Sequence, residues 1–143
     1  MKNFLFVMMT VFFATDLSLA DGKEISPQSF PDSCPQVSVE DLVNRHSGGR
    51  PLTLKFFASW CGSCKDDMES MRTQPPRDDL ILLSTFDDEK SALATLKHFD
   101  VRQRCLGGDA VARKLGVRHL PRSFRLENGK FAEIKAGPGK GTM

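Results

Sequence analysis

At 143 residues the chain holds about one domain's worth of sequence, long enough for a single modest core. Its 40% hydrophobic and 27% charged residues are ordinary for a soluble globular protein. A net charge of +2 gives no overall electrostatic address, and with no arginine–aromatic pattern it argues against a nucleic-acid partner. From Val101 onward basic residues outnumber acidic ones, which reads either as a solvated face or as a preference for anionic partners.

Residues 1–20 read as a signal peptide. Lys2 supplies a small positive region, an apolar run follows, and Ser18-Leu19-Ala20 offers small residues for cleavage near Ala20. The apolar run, about 11 residues, is short of the roughly 20 needed to cross a bilayer. Asp21 stands where a lipoprotein would carry its cysteine. The expectation is an exported, periplasmic chain with no permanent membrane span; an uncleaved anchor is the rival. Residues 21–37, with three prolines, read as a leader loop.

Ser38 caps a short helix that Ser47-Gly48-Gly49 stops. Residues 52–58 form a strand that runs into Trp60-Cys61-Gly62-Ser63-Cys64, and 61–71 form a helix closed by Pro75-Pro76. The near-continuous apolar run at 80–86 marks a strand buried on both faces. A helix over 89–99 and a short strand over 101–105 come next. Asp109 then caps a helix that ends at Gly116. Strands over 122–127 and 131–136 meet at an Asn128-Gly129 turn. Alternating strands and helices define an α/β fold with a mixed central sheet flanked by helices. Residues 38–136 are the domain. Residues 137–143 are a flexible, glycine-rich tail from which no terminal helix forms.

The chemistry lies at Cys61 and Cys64. Two thiols at this spacing close a small disulfide, and a cysteine at a helix N-terminus is placed to be a thiolate, the form that attacks disulfides. Half a zinc site has the same spacing, so the pair alone is not decisive. Export favours disulfide exchange over metal capture. Cys34 and Cys105 remain, either as a structural bridge or as two free thiols. His46, His98 and His119 share no metal-ligand spacing, and no metal or cofactor is expected.

Together, the strand, Trp60, the Cys61/Cys64 pair, the following helix and the downstream Gly116-Val117-Arg118-His119-Leu120-Pro121 resemble the thioredoxin superfamily over residues 38–136. The extra helix and strand before Asp109 resemble the TlpA/ResA/DsbE branch of exported thiol–disulfide oxidoreductases, many of which serve cytochrome c maturation. The resemblance implies that Cys61 attacks, Cys64 resolves, and Pro121 is a cis-proline facing the pair. Leu120 would offer its backbone to an extended substrate. Trp60 would shield the pair and touch substrate, although a lone tryptophan also suits a core. Protein thiols or disulfides are the implied partners, together with a redox partner that recycles the pair.

Three residues depart from the pattern. Ser63 stands where thioredoxins usually carry proline, and Glu69 replaces a proline that commonly kinks the helix. Lys55 occupies the place of a buried acid beneath the pair. Two readings stand for it: a buried neutral base, or a charged side chain reaching water past an uncovered sheet face. A missing terminal helix and the polar Ser123 and Arg125 favour the second. From other classes, a copper chaperone using Cys61 and Cys64, or a binding module with weak redox activity, are the alternatives.

Overall fold

Leu52–Phe57 form β1, the middle strand of a five-stranded sheet. The computed structural model describes residues 29–46 and 49–135. The other elements in chain order are α1 (Val39–His46, preceding β1), α2 (Gly62–Met71), β2 (Leu80–Ser84), α3 (Glu89–His98), β3 (Cys105–Gly107), α4 (Asp109–Leu115), β4 (Arg122–Glu127) and β5 (Lys130–Glu133). The strands lie in the order β3-β2-β1-β4-β5; β1, β2 and β3 are parallel, β4 is antiparallel to β1, and β5 is antiparallel to β4. The expected signal segment and the tail lie outside the described residues.

Strand alternation divides the core in two. Leu52, Leu54 and Phe56 of β1 point to the face covered by α1 and α4, where Leu42, Val111, Ala112, Phe124 and Leu126 gather. Phe57 points the other way, toward Cys64, Met68 and Met71 of α2 and Ala92 and Leu96 of α3. α2 and α3 bury residues about one turn apart, Cys64, Met68 and Met71 in the first and Ala92 and Leu96 in the second, so each buries a single stripe. In β2, Leu80 and Leu82 enter one cluster and Ile81 and Leu83 the other, so both its faces are buried as its apolar run requires.

Local chemistry sets most element ends. Ser38 Oγ accepts the Asp41 amide N–H and the Asp41 carboxylate accepts that of Ser38, a reciprocal cap for α1. Asn128 and Gly129 both have positive φ, 52° and 72°, as the tight turn between β4 and β5 demands.

Several boundaries differ from the sequence expectation: β1 ends at Phe57 rather than 58, and β5 spans Lys130–Glu133 rather than 131–136. β3 begins at Cys105, not 101. Val101 still closes the turn after α3 through its amide to Leu96 O (2.9 Å), and the Gln103 side chain is pinned to Arg77 and Leu80 backbone groups. Pairing with β2 is therefore delayed until Arg104 O accepts the Leu82 amide. Asp109 is the first residue of α4, and its cap is Gly108. A Cβ on residue 108 would lie 2.7 Å from Leu83 Cβ, so glycine occupies that close approach. α2 ends at Met71 as expected, but Thr73 turns into positive φ before the two prolines are reached, so the prolines do not close it. β2 stops at Ser84 because Phe86 also takes a positive φ of 54°.

The leader is tied to the edge of the sheet. Cys34 and Cys105 form a disulfide across a sequence separation of 71. Gln36 makes a parallel bridge to Gly107, and Gly107 donates its amide to Pro35 O at 2.8 Å. A cross-link over a long loop removes much chain entropy from the unfolded state. Replacing Cys34 and Cys105 together by alanine is expected to lower stability by about 2–4 kcal/mol in urea titration. Unchanged stability would show that the bridge does not constrain the unfolded chain.

Candidate functional site

At its C-terminal end β1 stops and the chain turns sharply: the Cys61 amide donates to Ala58 O at 3.2 Å. The turn is bracketed from the loop after β2. Ser59 donates its amide and its hydroxyl to the Asp87 carboxylate, at 2.6 and 3.0 Å. The Trp60 indole N–H donates to Phe86 O at 2.9 Å, and the Phe86 amide donates to Asp109 Oδ1 at 2.7 Å. Asp109, displaced from the capping position, thus anchors this loop from the start of α4.

Cys61 is the N-cap of α2, with extended backbone. Its Sγ accepts the Cys64 amide N–H at 3.2 Å, and the two cysteines are joined as a disulfide. The first amides of a helix have no partner within the helix and carry its positive end. In the oxidised pair the Cys64 amide is the donor that faces the sulfur of Cys61. In the oxidised pair exposure does not separate the two roles, since Cys61 is 5% and Cys64 2% exposed. Cys61, at the helix tip, is therefore covered in this state. Helix-end hydrogen bonding, not accessibility, distinguishes the two residues.

The Leu120–Pro121 peptide is cis, as expected. Leu120 is half-buried and packs against both core clusters, including the one that holds Cys61 and Cys64. Trp60 lies on the surface, so the core reading of this residue fails. His119 is exposed. No group of three or more His, Cys, Asp or Glu placed to hold a metal ion occurs among the described residues, and no helix among them is long and apolar enough to cross a membrane.

Lys55 stands opposite Ser123 on β4, and Thr53 opposite Arg125, all on the face that α2 and α3 only partly cover. Among the described residues, none from β4 or β5 joins the cluster under those helices. A groove of about 630 Å³ opens there, lined by Lys55, Asp67, Pro121, Ser123 and Ile134 among others. The Lys55 side chain is 29% exposed, and its Nζ lies 4.0 Å from Asp67 Oδ1. Among the described residues this groove is open, and the partly exposed Lys55 side chain reaches water through it.

Sequence reasoning missed Phe86, Asp87 and Asp109 as parts of the site. The acidic run after β2 signals the start of α3, where Asp88 accepts the Ser91 amide at 2.8 Å, and nothing in it announces a bond back to Ser59. Hydrogen bonds from the Ser91 hydroxyl and amide hold the Asp88 carboxyl below its usual range. Its capping contribution is complete above the ordinary aspartate range and is lost as pH falls through the lowered pKa.

No protein-family model matches the sequence, and no curated protein matches it. Solved structures do. A secreted Mycobacterium tuberculosis disulfide oxidoreductase, described as homologous to E. coli DsbE, superposes with a TM-score of 0.54 at 13% identity, covering 74% of this chain and 84% of that one. DsbF from MTB gives 0.52 at 14% identity over 76% and 89%. The thioredoxin domain of a thiol-disulfide oxidoreductase from Bacteroides vulgatus gives 0.50 at 13% over 79% and 91%. The chain has a thioredoxin-like α/β fold, and the α3–β3 pair stands between β2 and α4 where the sequence places an insertion.

Because Lys55 is solvated and its ion pair is long, Lys55→Met is expected to change stability by less than about 1 kcal/mol in urea titration. A loss of several kcal/mol would mean that the ammonium is held in a buried network.

Proposed function

We propose that the chain is an exported thiol–disulfide oxidoreductase acting on protein substrates through Cys61 and Cys64. One observation carries the proposal: a Cys61–Cys64 disulfide whose first sulfur is the N-cap of α2, at the end of the central strand of a thioredoxin-like fold. In the reducing direction the Cys61 thiolate attacks one sulfur of a substrate disulfide. A mixed disulfide forms, and the other substrate sulfur leaves as a thiolate. Cys64, deprotonated, then attacks the Cys61 sulfur, forming the Cys61–Cys64 bond and releasing the second substrate thiolate. Two electrons pass from the pair to the substrate. The reverse sequence oxidises a dithiol, and the direction follows the potential of the pair against its compartment.

The other assignments belong to the same proposal. Trp60, Leu120 and Pro121 contact substrate, with the Leu120 backbone pairing to an extended segment. A separate redox partner returns the pair to its working state. Residues 1–20 direct export and are cleaved near Ala20, leaving the domain of residues 38–136 with its leader. The resemblance to the branch that includes DsbE makes apocytochrome c the first substrate to test. Cys34 and Cys105 lie in a buried structural bridge and take no part in exchange.

The reduced protein is expected to reduce insulin disulfides, and Cys61→Ser to abolish the reaction. Cys64→Ser should accumulate mixed disulfides on Cys61, which mass spectrometry of the trapped partners would identify. Insulin reduction that survives Cys61→Ser would refute the assignment, and an inactive wild-type protein that binds Cu(I) stoichiometrically through the pair would favour the chaperone alternative.

A further inference from the structure

Phe86 combines two features that folding alone does not favour. It is 39% exposed, and its φ is 54°, a region that bulky side chains rarely enter. Trp60, 60% exposed, is the neighbour to which its carbonyl is bonded. With Ile134 these are the only large hydrophobic residues exposed among the described residues. The Trp60 indole and the Phe86 main chain are both held by hydrogen bonds. The Phe86 amide is fixed by Asp109, its carbonyl by the Trp60 indole, and the residues on either side of the pair by the Asp87–Ser59 bonds. An exposed aromatic pair held on a braced loop beside a redox disulfide is arranged for contact.

We infer that Phe86 and Trp60 form an apolar ledge that selects protein substrates carrying an apolar side chain next to the reacting cysteine. The inference rests on the oxidoreductase reading and adds a substrate class to it. Trp60 directly precedes Cys61, so a substrate sulfur in contact with Cys61 brings its own chain neighbours over the ledge. Successive residues of an extended segment are only about 3.3 Å apart, so the side chains flanking the substrate cysteine are those within reach. The Trp60 indole, held by its bond to the Phe86 carbonyl, and the Phe86 ring, on a main chain fixed at both amide and carbonyl, give apolar contact area from side chains with only two rotatable bonds each. A serine or glycine in the same place leaves both rings in water. Phe86 is thus a specificity residue, and Asp109 and Asp87 are positioning residues that act through the loop.

The test uses the reduced full-length protein and two disulfide-linked peptide dimers that differ only in the residues flanking the cysteine, leucine in one and serine in the other. Each turnover converts one dimer to two thiols and the enzyme pair to its disulfide, and thiol release gives kcat/KM. The wild-type protein is expected to prefer the leucine dimer about tenfold, equivalent to about 1.4 kcal/mol. Phe86→Asn tolerates the left-handed backbone and keeps both main-chain bonds, so it removes the ring alone. It should bring the ratio close to one, and Phe86→Leu should restore most of it. A wild-type ratio near one, or a preference that survives Phe86→Asn, overturns the ledge while leaving the oxidoreductase reading in place. Failure of the wild-type protein to reduce either dimer refutes that reading and the ledge with it.

Discussion

The hydrogen bond from the Cys64 amide to the Cys61 sulfur exists only because β1 ends at Phe57 and α2 starts five residues later, at Gly62. An α-helix leaves its first amides without intrahelical partners. Here a cysteine sulfur fills the capping place that a serine or aspartate side chain fills in most helices. The group that completes the helix is also the group whose charged form the helix end favours. Local folding and chemistry are therefore served by one contact. The β1 strand that delivers Cys61 is central, paired to β2 on one side and β4 on the other, so the sulfur's position is set by the most constrained part of the sheet.

The surroundings follow from the division of the core. Burial under α2 and α3 uses Phe57, Leu80 and Leu82 but stops short of β4 and β5. What is left is a polar strip of Thr53, Lys55, Ser123 and Arg125, where a charged side chain sits without a buried counter-ion. Lys55, on the face beneath α2, thus lies at a partly open groove, with its ammonium 4.0 Å from Asp67 as its ion-pair partner. The opposite edge of the sheet is closed differently. The Cys34–Cys105 bond and the Gln36–Gly107 bridge bring the leader alongside β3, covering an edge that would otherwise be open.

Much of this was legible from residue types. The run Leu80 to Leu83 shows a strand buried on both faces, Asn128-Gly129 shows the tight turn, and the Cys61/Cys64 spacing with the downstream proline shows where the site lies. Two of the differences share a cause, because they depend on contacts far along the chain. The start of β3 is decided by Gln103 reaching Arg77 and Leu80. The loop beneath Trp60 is held by Asp109, which by local rules looks like a helix cap and in the fold serves Phe86 instead. Neither choice is written in the hydrophobic period of its own segment.

Competition between the two thiols of the reduced protein tests the central claim most directly. If the α2 N-terminus favours charge on Cys61, substoichiometric iodoacetamide at neutral pH should label Cys61 well before Cys64, with the sites assigned by mass spectrometry after rapid quenching. The preference should shrink as pH rises and Cys64 ionises as well. Equal labelling at neutral pH, or Cys64 labelled first, would contradict the account, because the helix cap would then have no bearing on which sulfur reacts.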